Sequence, residues 1–422
     1  MTINTKEFRE EGMKKLGVAN LRPQQEAPME AILNNEDVIV LMPTSGGKSL
    51  LYQLPAVMEP GSLTLVISPL KALQLDQVES LRSKGIRAAV LNSDLSAAEH
   101  REVLEDMTEH GGLLYLAPEQ LRSPAVAEAL QSCPILTRIA VDEAHILPQA
   151  KDDFRKAYGK IGSFINSLSL HPQVIALTAT ATRKDVARIR KSLDIDNASL
   201  FRTPMRRDNL RLYIKRIDSN GKTRNGKCSQ SIEHTLFQSV ERELSKWDEH
   251  GAVIIYCPTV KFVKRLCKWL KARDYPVGKY HGKMKHAKRK AAQQAFMRGK
   301  KPIMVATNAF GLGIDKPDVR LVIHAGLPLS MDGYVQEIGR AGRDGKKSRC
   351  VLFYTKSDFD RNKRTLSQSG GRKAVARRLK RLNALHSLVD SRKCLWRVIE
   401  KYFGEKPQKK CRKCCRCKSK TD

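Results

Sequence analysis

The sequence predicts an α/β protein with two tandem doubly wound parallel sheets, followed by a small helical segment rich in cysteine. Short apolar runs rich in β-branched residues alternate with helical patterns, which is typical of parallel sheets covered by helices on both faces. This alternation stops near residues 205–209 and then resumes, which indicates two units. It ends beyond Lys356, where a basic helical pattern begins.

The predicted strands form two series. They comprise residues 38–41, 63–67, 113–116, 139–141 and 174–177, and then 252–256, 277–280, 303–306, 321–324 and 351–354. The polar residues 218–231, with two Asn-Gly pairs, predict a surface loop inside the second unit. We therefore expect domains at residues 1–207, 208–355 and 356–422.

The charge of the chain narrows the class of partner. Its 77 Lys and Arg against 44 Asp and Glu give a net charge of +33. Residues 361–422 alone contain 21 basic and 4 acidic residues. This excess predicts a polyanionic partner, and nucleic acid is favoured over a membrane because no apolar run approaches about 20 residues. A merely solvated basic face is the alternative.

The amino terminus is polar and has no apolar core of the kind that secretion signals contain. We expect a cytoplasmic, nucleoid-associated or nuclear protein that is not secreted, and therefore reduced cysteines. Half of the ten cysteines are isolated, and most of these are expected in or near the core. They are Cys133, Cys228, Cys257, Cys267 and Cys350.

Residues 42–49, Met-Pro-Thr-Ser-Gly-Gly-Lys-Ser, follow the first predicted strand and open a helix. This layout predicts a loop whose backbone N–H groups cradle phosphates. Lys48 would counter the charge of the terminal phosphates of ATP, and the Ser49 hydroxyl would ligate Mg²⁺. Met42 stands where the strict pattern has a glycine, and an ordinary Gly-Gly turn is the alternative. The rest of the cradle is Thr44, Ser45, Gly46 and Gly47.

Asp142 and Glu143 follow another predicted strand and begin the tetrapeptide Asp-Glu-Ala-His. Adjacent carboxylates repel each other unless a cation lies between them and a ligand. We assign Asp142 to Mg²⁺ and Glu143 to polarising the attacking water. By itself this tetrapeptide is more often part of a surface helix, but the upstream phosphate loop favours the functional interpretation.

These motifs and others in the same order resemble the RecQ family of superfamily 2 DNA helicases over roughly residues 10–417. The resemblance implies two RecA-like domains, a zinc subdomain, the cofactors ATP, Mg²⁺ and Zn²⁺, and single-stranded DNA and junctions as partners. It implies an ATP-dependent 3′→5′ helicase of DNA repair and recombination, with Arg22 and Gln25 at the adenine and Asp315 in the nucleotide site. The motifs that carry it are residues 21–25, 43–50, 68–70, 142–145, 178–182, 280–282, 305–315 and 336–345.

Gln336, Arg340 and Arg343 recur at spacings of four and three, which predicts one helical face. Guanidinium groups there would stabilise a transferring phosphoryl group from across a domain cleft. The resemblance makes Arg343 the arginine finger and Arg340 a second phosphate contact, and a solvated turn is the alternative. Thr178 and Thr180 are expected to link the nucleotide state to the nucleic-acid surface, unless they form an ordinary strand end.

The chain departs from the family pattern in three respects. Val18 stands where an aromatic stacks on adenine, and Ala150 and Asp152 stand where the family has Trp and His. Only Phe154 is left in that loop to stack on a base, so we expect weak stimulation of ATP hydrolysis by DNA. The sequence also stops where relatives continue, so we expect a short form without a winged-helix or further helical domain.

Cys394 precedes a helical stretch, and Cys411, Cys414 and Cys417 follow at spacings of three. Four thiolates make a closed structural zinc site, and the pattern resembles the zinc subdomain of the family. Nearby Lys and Arg are expected to lower the thiol pKa values. Cys415 is left over, and free thiols in a basic tail are the alternative.

The leading hypothesis is an ATP-dependent DNA helicase. One alternative is a DNA-stimulated ATPase that remodels or anneals nucleic acid with little processive unwinding. Another is a structural nucleic-acid-binding protein with a vestigial ATP site, which is disfavoured because Lys48, Asp142, Glu143 and Arg343 are all of the required chemical type. DNA rather than RNA rests on the resemblance, since phosphate contacts carry no sugar identity.

Overall fold

The computed structural model describes residues 5–43, 46–69, 71–149, 156–218, 231–247, 250–311, 314, 316–368 and 371–417. The chain forms two compact units, Met1–Pro204 and Met205–Asp422. Each unit is built on a parallel sheet with helices packed on both faces, which confirms the predicted fold class. None of the helices in these ranges has the length and apolarity needed to cross a membrane.

The sheet of the first unit has the strand order β3-β4-β2-β5-β6-β1-β7, with every pairing parallel. Its strands are β1 Val38–Leu41, β2 Leu63–Ile67, β3 Ala88–Leu91, β4 Gly112–Leu116, β5 Leu136–Val141, β6 Gln173–Thr178 and β7 Ser199–Arg202. Its helices are α1 Thr5–Leu16, α2 Pro23–Leu33, α3 Leu50–Met58, α4 Lys71–Arg82, α5 Ala97–His110, α6 Pro124–Gln131, α7 Ile161–Ile165 and α8 Arg183–Leu193. Short 3-10 helices occupy Pro118–Arg122, Ala144–Gln149 and Lys156–Lys160.

The central strands of this sheet are buried on both faces. In β1, Ile39 and Leu41 join one apolar cluster, and Val38 and Val40 join the cluster on the opposite face. This burial explains why the strand reads as a continuous apolar run. Because β6 lies between β5 and β1, the loops that follow these three strands meet at one edge of the sheet.

The sheet of the second unit has the order β10-β11-β9-β12-β13-β8, again with every pairing parallel. Its strands are β8 Leu210–Arg216, β9 Ala252–Tyr256, β10 Val277–Tyr280, β11 Ile303–Ala306, β12 Val319–Ala325 and β13 Ser348–Tyr354. Its helices are α9 Ile232–Leu244, α10 Val260–Lys271, α11 His286–Met297, α12 Met331–Ile338, α13 Lys356–Ser367, α14 Arg372–Asp390 and α15 Leu395–Tyr402.

The carboxyl-terminal helices pack on one face of the second sheet. Leu385 and Trp396 from these helices are buried in the same apolar cluster as Ile254 of β9. Cys415 lies against the edge strand β8, since its N–H donates to the Leu212 carbonyl at 2.9 Å. The leftover cysteine of the sequence therefore helps to cover an exposed sheet edge.

All ten predicted strands are present, and five of them have the predicted bounds. Three strands, β3, β7 and β8, were not predicted. Strands β7 and β8 lie at sheet edges. In β8, buried residues alternate with half-buried or exposed polar and aromatic residues, so the strand contains no continuous apolar run. β3 contains only Ala-Ala-Val-Leu, in which the β-forming signal is weak.

Candidate nucleotide site and zinc centre

The phosphate loop joins β1 to α3. Lys48 is buried, and its Nζ donates a hydrogen bond to the Met42 carbonyl at 3.3 Å. The ammonium group that is predicted to bind the phosphates is therefore held beside the start of the loop. Ser49 stands at the start of α3, and its Oγ accepts from Gln77 Nε2 at 2.9 Å. Thr44 and Ser45 lie outside the described residues.

Two glycines of the loop are required by their surroundings. A Cβ on Gly46 would lie 2.2 Å from Met42 Cγ, and a Cβ on Gly47 would lie 2.5 Å from Gln25 Nε2. Gly47 also has φ +79°, which other residues rarely adopt. Met42 is fully buried in the apolar cluster. Its departure from the strict pattern is tolerated because the side chain packs into the core beneath Gly46.

The expected adenine-contacting residues lie beside this loop. Gln25 is buried, its Nε2 donates to the Gly47 carbonyl at 2.9 Å, and its Oε1 accepts from the Arg22 N–H at 2.8 Å. Arg22 is exposed at the start of α2. Val18, at the position expected to stack on adenine, is half-buried and packs against the neighbouring apolar cluster.

The two adjacent carboxylates follow β5 at the same sheet edge. Asp142 Oδ1 accepts from the Glu143 N–H at 2.9 Å, and its Oδ2 accepts from Ser68 Oγ at 3.5 Å. Glu143 has φ +51°, which is an uncommon conformation for a residue other than glycine. Such backbone conformations are found at functional sites more often than elsewhere.

Burial raises the pKa of Asp142 to about 6, and the Glu143 carboxylate acts in the same direction. Lys48 acts in the opposite direction, so its ammonium group lies close enough to interact with this carboxylate. An additional cation would stabilise the ionised form further. The buried acidic pair beside a hydroxyl is therefore a donor set that fits Mg²⁺, with Ser49 and Asp142 as the expected ligands.

A short series of polar contacts leads from Glu143 to the end of β6. His145 Nδ1 lies 3.2 Å from Glu143 Oε2 and 3.0 Å from Thr178 Oγ1. Thr178 Oγ1 also accepts from the Thr180 N–H at 3.3 Å. Both threonine side chains are buried, so these contacts join the two loops to each other and do not form a surface contact. Phe154 lies outside the described residues.

The predicted helical face of Gln336, Arg340 and Arg343 is wrong. Helix α12 ends at Ile338, so only Gln336 is helical, and both arginines lie in the turns that follow. Gly342 has φ +54°, and a Cβ there would lie 2.5 Å from Asn209 Nδ2. Helix α12 is capped by Gly339, which keeps right-handed angles, and the left-handed Gly342 then turns the chain between the two arginines. Regular spacing does not show either feature.

The turn that carries the two arginines is held by residues that the sequence analysis did not identify. Asn209 Nδ2 donates to the Gly342 carbonyl at 2.8 Å, and Arg207 Nη1 donates to the Gly339 carbonyl at 3.1 Å. Arg340 is buried, and a Cβ on Gly311 would lie 2.5 Å from its Nε. No sequence motif identifies Arg207 and Asn209. Their position directly before strand β8 is the signal that could have pointed to them. Asp315 lies outside the described residues.

Four cysteines converge around α15. The sulfur atoms of Cys394, Cys411, Cys414 and Cys417 all lie within 4.8 Å of one another. A tetrahedral zinc with Zn–S bonds of about 2.3 Å needs sulfur atoms about 3.8 Å apart, so small adjustments suffice. The Leu395 N–H donates to Cys414 Sγ at 3.5 Å.

The expectation that nearby cations lower the thiol pKa values is wrong for two of these cysteines. The pKa of Cys411 is raised well above its usual value, first by its hydrogen bond to Cys414 and then by burial. Burial likewise raises the pKa of Cys417. Burial and the neighbouring thiols cause both shifts, and a metal would have to displace the thiol protons. Cys133, Cys257, Cys267 and Cys350 are buried as predicted, and Cys228 lies outside the described residues.

The raised pKa of Asp142 predicts a pH-dependent cost to stability. The folded chain holds this proton more tightly than the unfolded chain, so stability falls as the pH rises from about 4 to about 6. Without nucleotide or divalent cation, Asp142→Asn should be more stable than the wild type by up to about 3 kcal/mol at pH 7.5, but by only about 1 kcal/mol at pH 4.5. Urea unfolding at both pH values measures this. The exposed Asp360→Asn is the control, and a difference that does not change with pH would contradict the prediction.

The cysteine geometry predicts one zinc per chain. Cys414→Ser should lose the metal and lower the thermal midpoint, because one of four ligands is removed. Cys415→Ser should retain zinc, because Cys415 is not in the cluster and instead accepts from the Ile214 N–H at 3.4 Å. Elemental analysis after purification without chelator measures both. A wild-type content near zero, or equal loss in the two variants, would refute the site.

Comparisons with known proteins agree with this geometry. Three family models match: DEAD/DEAH box helicase at residues 22–189, Helicase conserved C-terminal domain at 235–345, and RecQ zinc-binding at 356–418. The chain is 39% identical to the probable ATP-dependent DNA helicase RecS of Bacillus subtilis, and 36% identical to the ATP-dependent DNA helicase RecQ of the same organism. These alignments cover 82% and 90% of this chain, but only 66% and 62% of the relatives.

The fold is also similar to that of solved helicases. The structure of Mycobacterium smegmatis helicase Lhr bound to ssDNA and AMP-PNP matches with a TM-score of 0.66 at 21% identity, over 94% of this chain and 55% of that one. At this identity the likeness shows the fold alone. The zinc-binding match and the curated relatives are more specific, and they show that the chain belongs to the RecQ family of superfamily 2 helicases.

Proposed function

We propose that the chain is an ATP-dependent DNA helicase that translocates 3′→5′ on single-stranded DNA and unwinds duplex junctions. The observation that carries this proposal is the buried Asp142–Glu143 pair beside the Lys48 loop at one sheet edge. The two Bacillus subtilis relatives are named ATP-dependent DNA helicases, which supports this activity. The direction, the junction preference and a role in repair and recombination rest on the family resemblance.

In the proposed reaction, Lys48 holds the terminal phosphates and the cradle of residues 44–47 contacts them through its backbone. Mg²⁺, when bound by Ser49 and Asp142, would neutralise phosphate charge. Glu143 would orient the attacking water and accept its proton. His145, whose Nδ1 lies 3.2 Å from Glu143 Oε2, would keep the Glu143 carboxylate in place for this role.

Two further groups of residues complete the proposed nucleotide site. Arg22 and Gln25 would contact the adenine, since Gln25 already ties α2 to the phosphate loop. In the second unit, Arg343 would act as the arginine finger, Arg340 as a second phosphate contact and Asp315 as a further nucleotide contact. Gln336 would support them from the end of α12. The division at residues 1–207, 208–355 and 356–422 stays a prediction.

The link to nucleic acid is proposed to run through the end of β6. Because Thr178 and Thr180 are bonded to the segment that holds Glu143, a change at the nucleotide would move this loop. Phe154 is the proposed base-stacking residue. We propose action where the DNA is, in the nucleoid-containing cytoplasm or the nucleus.

One observation favours a second function, a DNA-stimulated ATPase with little processive unwinding. The loop after the carboxylate pair has Ala150 and Asp152 where the family has an aromatic and a histidine. Loss of a stacking residue costs about 1–3 kcal/mol per base. The grip on the strand would then be too weak to hold a separated junction through many cycles.

Strand displacement separates the two functions. The helicase should release the shorter strand from a 3′-tailed duplex in the presence of ATP and Mg²⁺, and not from a 5′-tailed one. Lys48→Ala should abolish release while DNA binding is kept, because only the phosphate contact is removed. Gel separation of labelled strands measures this. ATP hydrolysis without displacement on either substrate would favour the second function, and the same assay with RNA duplexes decides the sugar preference.

The role of Arg343 as an arginine finger can be tested by whether its removal changes kcat or KM. Arg343→Ala should lower kcat for ATP hydrolysis by about 10³-fold or more while the KM changes little, since a finger acts on the transition state. Lys347→Ala, an exposed cation in the same loop region, is the matched control and should stay near the wild type. A loss below tenfold in Arg343→Ala, or an equal loss in Lys347→Ala, would remove Arg343 from this role.

A further inference from the structure

The most basic stretch of the chain lies in the second unit, away from the residues assigned above. Residues 261–301 contain eleven Lys and four Arg against a single acidic residue, Asp274. Fourteen of these fifteen cationic side chains are exposed, and only Arg289 is half-buried. Solvated surfaces normally mix both signs of charge, so a patch of one sign calls for another explanation.

Some of these lysines lie on the solvent-facing side of helix α10. Val263, Leu266, Cys267 and Leu270 are buried against the sheet. Lys264, Lys268 and Lys271 follow one another at spacings of four and three, so they lie along one side of the helix. We call these three residues the lysine stripe. It extends over about 10 Å of the helix.

The opposite flank of α10 is already occupied. Phe262 and Trp269 both pack edge-on against Phe237 of α9. Arg265 and Arg273 on this flank are paired with the α9 residues Glu233 and Glu241. The third acidic residue of α9, Glu243, is paired with Lys215 and Arg349. The stripe lysines make no ion pair with an acidic side chain in the described part of the chain.

The stripe continues onto the edge strand β10. The Lys301 side chain reaches 3.6 Å from the point where a Cβ on Gly278 would lie, so it crosses β10. Burial raises the pKa of the Cys267 thiol, and Lys271, Lys279 and Lys301 all act against this shift, so all three side chains lie near Cys267. The surface is thus continuous from α10 across β10 to the start of β11.

A lone lysine on an edge strand has a simpler explanation. Lys279 is exposed on β10, and such a charge discourages pairing with another chain. This explanation does not reach Lys264, Lys268 and Lys271, which lie on a helix. It also leaves Lys301 unexplained.

We propose that the lysine stripe, with Lys279 and Lys301, binds the phosphate backbone of duplex DNA. A duplex carries one negative charge per about 1.7 Å, which suits a surface that offers only cations. No aromatic side chain of α10 is free to stack on bases, since Phe262 and Trp269 pack against α9, so an unpaired strand is a poorer fit. An acidic protein is also a poorer fit, because protein interfaces need an apolar core and are depleted in lysine.

The stripe lies along the length of α10. Burial lowers the pKa of His281, just after the carboxyl end of β10, and Lys264 acts in the same direction, so this end of the stripe lies towards His281. Lys271 lies at the other end of α10, and both it and Lys301, which precedes β11, act on Cys267. The duplex would therefore lie along the side of the second unit. The proposal extends the proposed function but does not depend on ATP hydrolysis.

The test measures binding of the full chain to a blunt 20-base-pair DNA duplex, without nucleotide, by fluorescence anisotropy over a range of KCl concentrations. The variant is Lys264→Gln/Lys268→Gln/Lys271→Gln. Loss of three phosphate contacts should reduce the salt slope by about 2.7, so the affinity ratio of wild type to variant should be about 40 times larger at 50 mM than at 200 mM KCl.

A matched control exists on α8, where Lys184, Arg188 and Lys191 are exposed at the same spacings of four and three. The triple Gln substitution there removes the same net charge and should leave duplex binding unchanged. Replacing the stripe by three arginines should retain binding. Unchanged thermal midpoints show that the variants are folded.

Three results would overturn the proposal. They are duplex binding unchanged in the stripe variant, an equal loss in the α8 control, and stripe-dependent binding of polyglutamate that is tighter than that of the duplex. The last result would point to an acidic protein partner. Because no nucleotide is present, each result stands whether or not the chain proves to be a motor.

Discussion

The position of β6 between β5 and β1 is the constraint on which the first unit depends. It places the end of β6 beside Leu41 through direct pairing with Thr178, and the Met42 N–H donates to the Thr178 carbonyl at 3.0 Å. The phosphate loop and the carboxylate pair are thereby brought to opposite sides of one strand end. Burial and the adjacent Glu143 carboxylate raise the pKa of Asp142 there, and Lys48 of the phosphate loop offsets this only in part. The nucleotide site therefore depends on the order of the strands in the sheet, because the two loops are far apart in the sequence.

The sequence predicted the central strands well because burial on both faces leaves a plain signal. The runs at Val38–Leu41 and Ala252–Tyr256 contain only apolar residues, and the structure reproduces their bounds. Edge strands are solvated on one side and need no such run, so Leu210–Arg216 passed unnoticed. The nucleotide motifs were found for a related reason, since backbone geometry restricts which residues a phosphate loop accepts. Gly46 and Gly47 show this restriction directly.

The features that the sequence did not reveal depend on contacts between distant segments. The two arginines after α12 are set by Arg207 and Asn209, more than a hundred residues earlier in the chain. Cys415 has no role in the cysteine spacing, yet it covers the edge strand β8. The lysine stripe is visible in the sequence only as an excess of positive charge. The packing of α10 on α9 is what shows which side of α10 the lysines occupy.

Each unit contains a buried charge whose balance is incomplete. In the first unit, the pKa of Asp142 stays raised although Lys48 is near. In the second unit, Arg340 is 4% exposed, and its Nε and Nη1 find no hydrogen-bond acceptor among the described residues. A buried guanidinium without an acceptor is costly, and so is a buried carboxylate without enough positive charge. A divalent cation would supply the missing charge at Asp142, and a phosphate would supply it at Arg340. Each unit would therefore be more stable with its proposed ligand than without it.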